Sequence, residues 1–251
     1  MLVRVMTYNI LVGGADRAES IRTIIRESRP DILVLEEVID KDLPESIAEE
    51  NGLVLAQTDH DGRRRVCILS RFPVKGQSTT RLSPAFRQGL RIDLDLGAVG
   101  LTVIGVHPIA NPAWWFELLR AREAEAYLRL AKGAPNHQII AGDMNAVAAG
   151  DLVRLAEYPR WLQVLLWLQG YRVYTWAIGR YLRAGYVDVY RALNPGQPGL
   201  TLPAHRPNTR LDYILASQRL AERAKSSWVV ESPETVRRAS DHLPVMAEFD
   251  L

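Results

Sequence analysis

A single cysteine, Cys67, is present in the 251-residue chain, so no intramolecular disulfide can form. It lies in the apolar run RVCILS, where the expected role is that of a small buried hydrophobe and not of a catalytic thiol. Neither sign of charge dominates. The 31 Lys and Arg against 29 Asp and Glu leave a formal charge of +2, so an anion-binding face has to come from local clustering. No basic, apolar and cleavage-site succession precedes the strand-like opening MLVRVMTYNI, and a cytoplasmic location is the expectation. The stretch from Leu96 to Phe116 carries no Asp, Glu, Lys or Arg, but Gly97, Gly100, Gly105, Pro108 and Pro112 interrupt it. It therefore predicts a strand and a loop, not a membrane span. No low-complexity linker or internal repeat divides the chain.

What is present is ample apolar material, 47% of residues, in alternating strand-like and helix-like segments. One α/β domain over residues 1–251 is expected. Strand-like runs are VRVMTYNI, DILVLEEV, LVLAQT, RVCILSRFPV, LRIDLDL, LTVIGVH, HQIIAGDM, RLDYILAS and PVMAEFDL. Residues 18–28 predict a helix with Ile21, Ile24 and Ile25 on one side, ended by Pro30. Residues 114–131 predict another, with Leu118, Arg122, Glu125 and Arg129 spaced for ion pairs on a solvated face. Residues 151–185 gather Trp161, Trp167, Tyr171, Tyr174, Trp176 and Tyr181. There a partly buried helical region is expected, with the aromatics serving as core in preference to a platform for bases or a lipid surface.

Several strands end in polar residues unsuited to a buried interior. Asn9 ends VMTYN, Glu36 and Glu37 follow ILVL, His107 follows TVIGV, Asp143 and Asn145 follow IIAG, and Asp241 and His242 precede LPVMAEF. Strands that share sheets bring such ends to one edge, where α/β enzymes hold their chemistry. Oxygen donors from Asn, Glu and Asp suit a hard cation such as Mg²⁺ or Mn²⁺, and a cysteine-rich zinc site is excluded. Two histidines add proton transfer or stabilisation of developing charge near neutral pH. Metal, carboxylates and histidines together point to hydrolysis of a phosphate ester. Taken singly, each motif has an ordinary structural explanation as a turn, a solvated pair or a strand-edge charge.

Their joint order is more specific. TYNI, PDILVLEEV, ILSRFPV, VHP, AGDMNA, RLDYIL and SDHLPV, running from Val5 to Phe249, resemble the endonuclease/exonuclease/phosphatase superfamily, which includes deoxyribonuclease I. The resemblance implies a four-layer α/β/β/α sandwich, two mixed β-sheets packed face to face with helices outside. It implies metal-site roles for Asn9, Glu37 and Asp241, and water positioning and phosphate binding for Asp143 and Asn145. It further implies a catalytic His242 oriented by Asp212, and a His107 that stabilises the phosphorane-like state or assists the leaving oxygen. Mg²⁺, with Mn²⁺ as the other option, is the implied cofactor.

Three departures from the family pattern are visible. VHPIANP stands where repair endonucleases carry a tyrosine-containing motif, and Leu11 stands where they often have an acidic or amide residue; both weigh against an abasic-site repair enzyme. Glu36 replaces the common glutamine and is expected to raise local negative charge and favour cation binding. Arg63-Arg64-Arg65 and Arg237-Arg238 cluster, and Arg71 and Arg238 are candidate phosphate contacts, since arginine forks pair well with phosphate oxygens. A nucleic-acid substrate, DNA or RNA, is the leading expectation, cleaved by in-line water attack. The alternative is a lipid or small-molecule phosphoester met by the tryptophans around 114–115 and 161–176. A non-catalytic scaffold is disfavoured because Glu37, Asp143, Asn145, Asp241 and His242 are all present. A monomer is expected.

Overall fold

The computed structural model describes residues 1–57, 65–80, 87–97 and 99–251. The alternating and continuous apolar runs become β1 (Leu2–Asn9), β2 (Ile32–Val38), β3 (Val54–Gln57), β4 (Arg65–Ser70), β5 (Val74–Thr79) and β6 (Leu90–Asp95). They continue as β7 (Gly100–Gly105), β8 (His137–Asp143), β9 (Tyr186–Asp188), β10 (Asp212–Ser217), β11 (Ala224–Val229) and β12 (Val245–Asp250). Helices α1 (Ala18–Ser28), α2 (Asp42–Asn51), α3 (Trp114–Leu130) and α4 (Arg160–Leu168) precede α5 (Trp176–Arg183), α6 (Val189–Leu193), α7 (Gln218–Ala221) and α8 (Val236–Ala239).

Two six-stranded mixed sheets form, ordered β11-β12-β1-β2-β4-β3 and β5-β6-β7-β8-β10-β9. Their inner faces meet through Val3, Val5, Ile32, Val34, Ile68, Ile92, Val103, Ile139, Ile214 and Phe249, all fully or almost fully buried. Alternation sends Met6, Tyr8, Leu33 and Leu35 to the outer face of the first sheet, where Ile21, Ile24 and Ile25 of α1, Ile47 of α2 and Val236 of α8 cover them. Ala124 and Tyr127 of α3 and Ile178 and Tyr181 of α5 cover Ile104, Ile140, Tyr213 and Leu215 on the second. The expected four-layer sandwich is thus present.

Three strands lack a readable signal. β5 (VKGQST) is polar, β9 has three residues, and β11 (AKSSWV) carries a lysine and two serines. The first two are at the edges of the second sheet and β11 at an edge of the first, where one side has no partner and polar residues are tolerated.

Two expectations need correction. The region 151–185 is helical in part, but of its aromatics only Tyr181 is fully buried, while Trp161, Trp167, Tyr171 and Trp176 are exposed. The reason is that α3 and α5 already fill the outer layer, so α4 lies outside it and buries only Leu166. On α3 the solvated pairing also differs: Glu125 reaches across to Arg180 of α5 at 3.2 Å, and among the described residues neither Arg122 nor Arg129 pairs with it.

Candidate active site

The site forms where β1 and β2 of one sheet end beside β8 and the start of β10 of the other. β1 and β2 run parallel with Asn9 level with Glu36, and Asp212 is directly opposite Asp143 across the antiparallel β8–β10 pair. Gly142 holds the approach open: its φ is +151°, and a Cβ there would fall 1.8 Å from the Val106 carbonyl oxygen. The strand therefore passes close beside the segment carrying His107.

Asp143 is the hub, 1% exposed. Its Oδ2 accepts from Asn9 Nδ2 at 3.0 Å and Asn145 Nδ2 at 3.2 Å, and its Oδ1 accepts from the Asn145 backbone N–H at 2.8 Å. His107 Nε2 and His242 Nε2 lie 3.6 and 3.7 Å from the same Oδ2. His242 is held from behind by Asp212, whose Oδ2 is 2.9 Å from Nδ1. Glu37 approaches from β2, its Oε1 3.8 Å from His107 Nε2 and its Oε2 accepting from the Val12 backbone at 2.8 Å. Glu37 (φ 63°) and Asn145 (φ 46°) both adopt the left-handed region, a backbone strain that clusters at functional sites.

The two histidines differ in charge. Burial holds His107 well below the usual imidazole value, against the pull of Asp143. Burial also opposes protonation of His242, but Asp212, Asp143 and Asp241 outweigh it and raise its pKa to about 10. Asp143 itself is pushed up by burial, with the histidines opposing. Their surroundings favour the neutral form of His107 and the cationic form of His242 around a single carboxylate.

Glu36 does not act as expected. Its side chain is fully buried, one oxygen accepts from Thr7 Oγ1 at 2.6 Å, and burial raises its pKa well above the usual value. Burial thus works against the negative charge that the sequence led one to expect at this position. Arg71 is also displaced. It pairs with Asp31 at 2.8 Å, at the opposite end of β2 and roughly 20 Å of strand from Glu37, so it does not reach the site. Arg238 is exposed on α8, next to the closing SDH turn. Arg65 is buried opposite Val38, whereas Arg63 and Arg64 lie outside the described residues.

Three groups carried little sequence signal. Ser240 Oγ donates to the Asn9 carbonyl at 2.6 Å, and Arg17 bridges the Ala239 and Leu11 carbonyls, so the closing turn is tied to the end of β1. Arg210, 1% exposed, pairs with Asp151 and Asp188 and sits 4.4 Å over the Tyr213 ring. It anchors the start of β10 two residues before Asp212.

The donor set fits a hard divalent cation. Glu37, Asp143 and Asp212 are buried carboxylates, and Asp212 Oδ1 has no hydrogen-bond partner among the described residues. Asp143, Asp212 and His242 also converge, one polar atom of each within 4.8 Å of the others, but a ring that favours the protonated form offers a metal no lone pair, which leaves the carboxylates and the Asn9 amide as donors. Asp241 lies at the rim, half-buried, with Ser240 Oγ 3.4 Å away. Beside Asn145 opens a cavity of about 730 Å³, whose lining includes Trp114, Val147, Tyr158, Leu162, Leu166 and Leu211 together with the charged Glu157 and Arg172.

Residues 6–242 match the model of the Endonuclease/Exonuclease/phosphatase family. The chain belongs to that family. Among the family's proteins it is 26% identical to exodeoxyribonuclease III of Haemophilus influenzae, over 98% of this chain and all of that one. A solved AP endonuclease from Archaeoglobus fulgidus shares the fold, with a TM-score of 0.75 at 21% identity, covering 99% of this chain and 100% of that one. A 3′-5′ exonuclease from Neisseria meningitidis does so with a TM-score of 0.77 at 21% identity and the same coverage. At this identity the solved structures speak for the fold. Among the described residues no helix is long and apolar enough to cross a membrane.

Proposed function

We propose that this protein is a divalent-metal-dependent phosphodiesterase that hydrolyses nucleic acid, DNA foremost, by in-line attack of water on phosphorus. The observation that carries the reading is the meeting of Asn9, Asn145, His107 and His242 on one carboxylate oxygen of Asp143. The kinship with exodeoxyribonuclease III supports DNA as the substrate. Asn9, Glu37 and Asp241 would hold Mg²⁺ or Mn²⁺, which supplies charge withdrawal from a phosphate oxygen.

Asp143 takes the proton of the attacking water. It is the better base because burial raises its pKa, whereas His242 already carries its proton at neutral pH. Cationic His242, oriented by Asp212, donates to a phosphate oxygen as charge develops there, and the Asn145 amide and neutral His107 add hydrogen-bonding capacity on the other side. Arg238 offers a contact to a neighbouring phosphate.

The test is cleavage of labelled DNA oligonucleotides with Mg²⁺ in ¹⁸O-water. EDTA-sensitive cleavage with the label in the product phosphate is expected; EDTA-insensitive cleavage, or label appearing in the sugar hydroxyl, contradicts the reading. A second reading, an ester with a large apolar group, is favoured by the apolar cavity beside Asn145. Faster turnover of a sphingomyelin-type ester than of DNA would select it.

A further inference from the structure

Between Glu157 and Asp188 the chain has no acidic residue, yet it carries Arg160, Arg172, Arg180 and Arg183 among its aromatics. Within this stretch α4, RWLQVLLWL, is apolar on nearly every side, a pattern ordinarily found in helices that are covered all round. Here only Leu166 is buried, while Trp161 is 65%, Val164 55%, Trp167 59% and Leu168 70% exposed. The Trp114 backbone N–H donates to Gln169 Oε1 at 2.6 Å, bringing the exposed Trp114, Trp115 and Leu118 of α3 alongside. Scattered exposed hydrophobes need no explanation, but a continuous face of them marks an interaction surface.

We infer that this face docks on a lipid bilayer containing anionic headgroups. Trp161, Val164, Trp167 and Leu168 enter the boundary between headgroups and acyl chains, and Arg160 and Arg183 pair with headgroup phosphates. Tryptophan, tyrosine and arginine around an aliphatic centre are the residues a membrane interface selects. Charge complementarity supports it: among the described residues Arg160, Arg172 and Arg183 have no carboxylate partner, and no acidic side chain from residues 158–187 would oppose an anionic surface. A nucleic-acid strand would occupy the aromatic rings and arginines but leave Val164, Leu168 and Leu118 uncovered. A second copy meeting the same face across a two-fold axis would set arginines against arginines. Leu162 and Leu166 of the same helix wall the cavity beside Asn145, so docking brings the site close to the membrane. The surface stands whichever ester the site cleaves.

The experiment is sedimentation of the full chain with phosphatidylcholine vesicles with and without phosphatidylglycerol, beside the double variant Trp167→Ala/Leu168→Glu and the single variant Val164→Glu. None of these residues lines the cavity or touches the candidate site. Wild type should pellet with the anionic vesicles, and each variant should lose roughly tenfold or more in partitioning while its melting temperature is unchanged. The single variant reads the same face should the double one melt early. The idea is overturned if wild type stays in the supernatant, or if folded variants partition like wild type. It is also overturned if the substitutions remove single-stranded DNA binding but spare vesicle binding, or convert a wild-type dimer to a monomer. Binding is read without turnover, so loss of the phosphodiesterase reading would show separately, as folded protein that binds vesicles and cleaves no DNA.

Discussion

Replacing Gly142 by alanine tests how the two halves of the site are held together. The new methyl carbon would lie 1.8 Å from the Val106 carbonyl oxygen and 2.9 Å from its carbonyl carbon, below any contact a real Cβ makes. Backbone atoms cannot turn aside as a flexible side chain can, so β8 and the His107 segment must separate by about 1 Å or more to restore ordinary contact. Overpacking of this kind costs about 1–3 kcal/mol, and a φ of +151° for a residue with a side chain adds about 1–3 kcal/mol. A total of about 2–6 kcal/mol corresponds, for a chain of this size, to a melting temperature lower by roughly 4–24 °C. The same movement draws Asp143 away from His107, so turnover should fall by more than the loss of folded protein explains. Thermal unfolding and a phosphodiester assay below the transition measure both. A variant that melts within a degree or two of wild type and keeps full turnover would refute the close approach on which the site is built.

Other substitutions probe the supporting layer. Arg210→Met leaves Asp151 and Asp188 without their buried counter-charge and should cost about 3–5 kcal/mol, seen as an earlier denaturant midpoint; an unchanged midpoint would deny the clamp. Glu36→Gln should stabilise the metal-free protein increasingly as pH rises. Because burial raises the Glu36 pKa, its contribution is fully present below the ordinary value of 4.5 and is lost as pH climbs through the folded value. Equal stability differences in mildly acidic and mildly alkaline buffer would contradict that. Asp212→Asn should lower the His242 pKa from about 10 towards the ordinary imidazole value and slow turnover by roughly 10²-fold or more; an NMR titration of His242 reads the first effect independently of the second.

Much of the architecture is legible in the chain because apolar periodicity reports burial, and burial is what separates the layers. Ile21, Ile24 and Ile25 mark the covered face of α1, and the run ILVL marks a strand buried on both faces. The signal fades where tertiary position overrides composition: β5 and β11 are polar because they are edges, and α4 is apolar although it is exposed. For the site, residues at strand ends were readable because polar groups interrupt apolar runs. Their mutual geometry was not, since the contact of Asn9 with Asp143 joins positions far apart in sequence. Arg71 misled for the same reason: sequence places it beside a strand end, and only the register of β2 against β4 reveals that it is the wrong end. Glu36 misled because the charge of a carboxyl depends on its burial and its partners, which the sequence does not display.

The most direct test of the central claim is nicking of supercoiled plasmid by wild type and Asp143→Asn at equal concentration, each with Mg²⁺ and with EDTA. Removal of the hub carboxylate should leave the melting temperature near that of wild type while nicking falls by orders of magnitude, to the level seen with EDTA. A folded Asp143→Asn protein that nicks as fast as wild type would contradict the account.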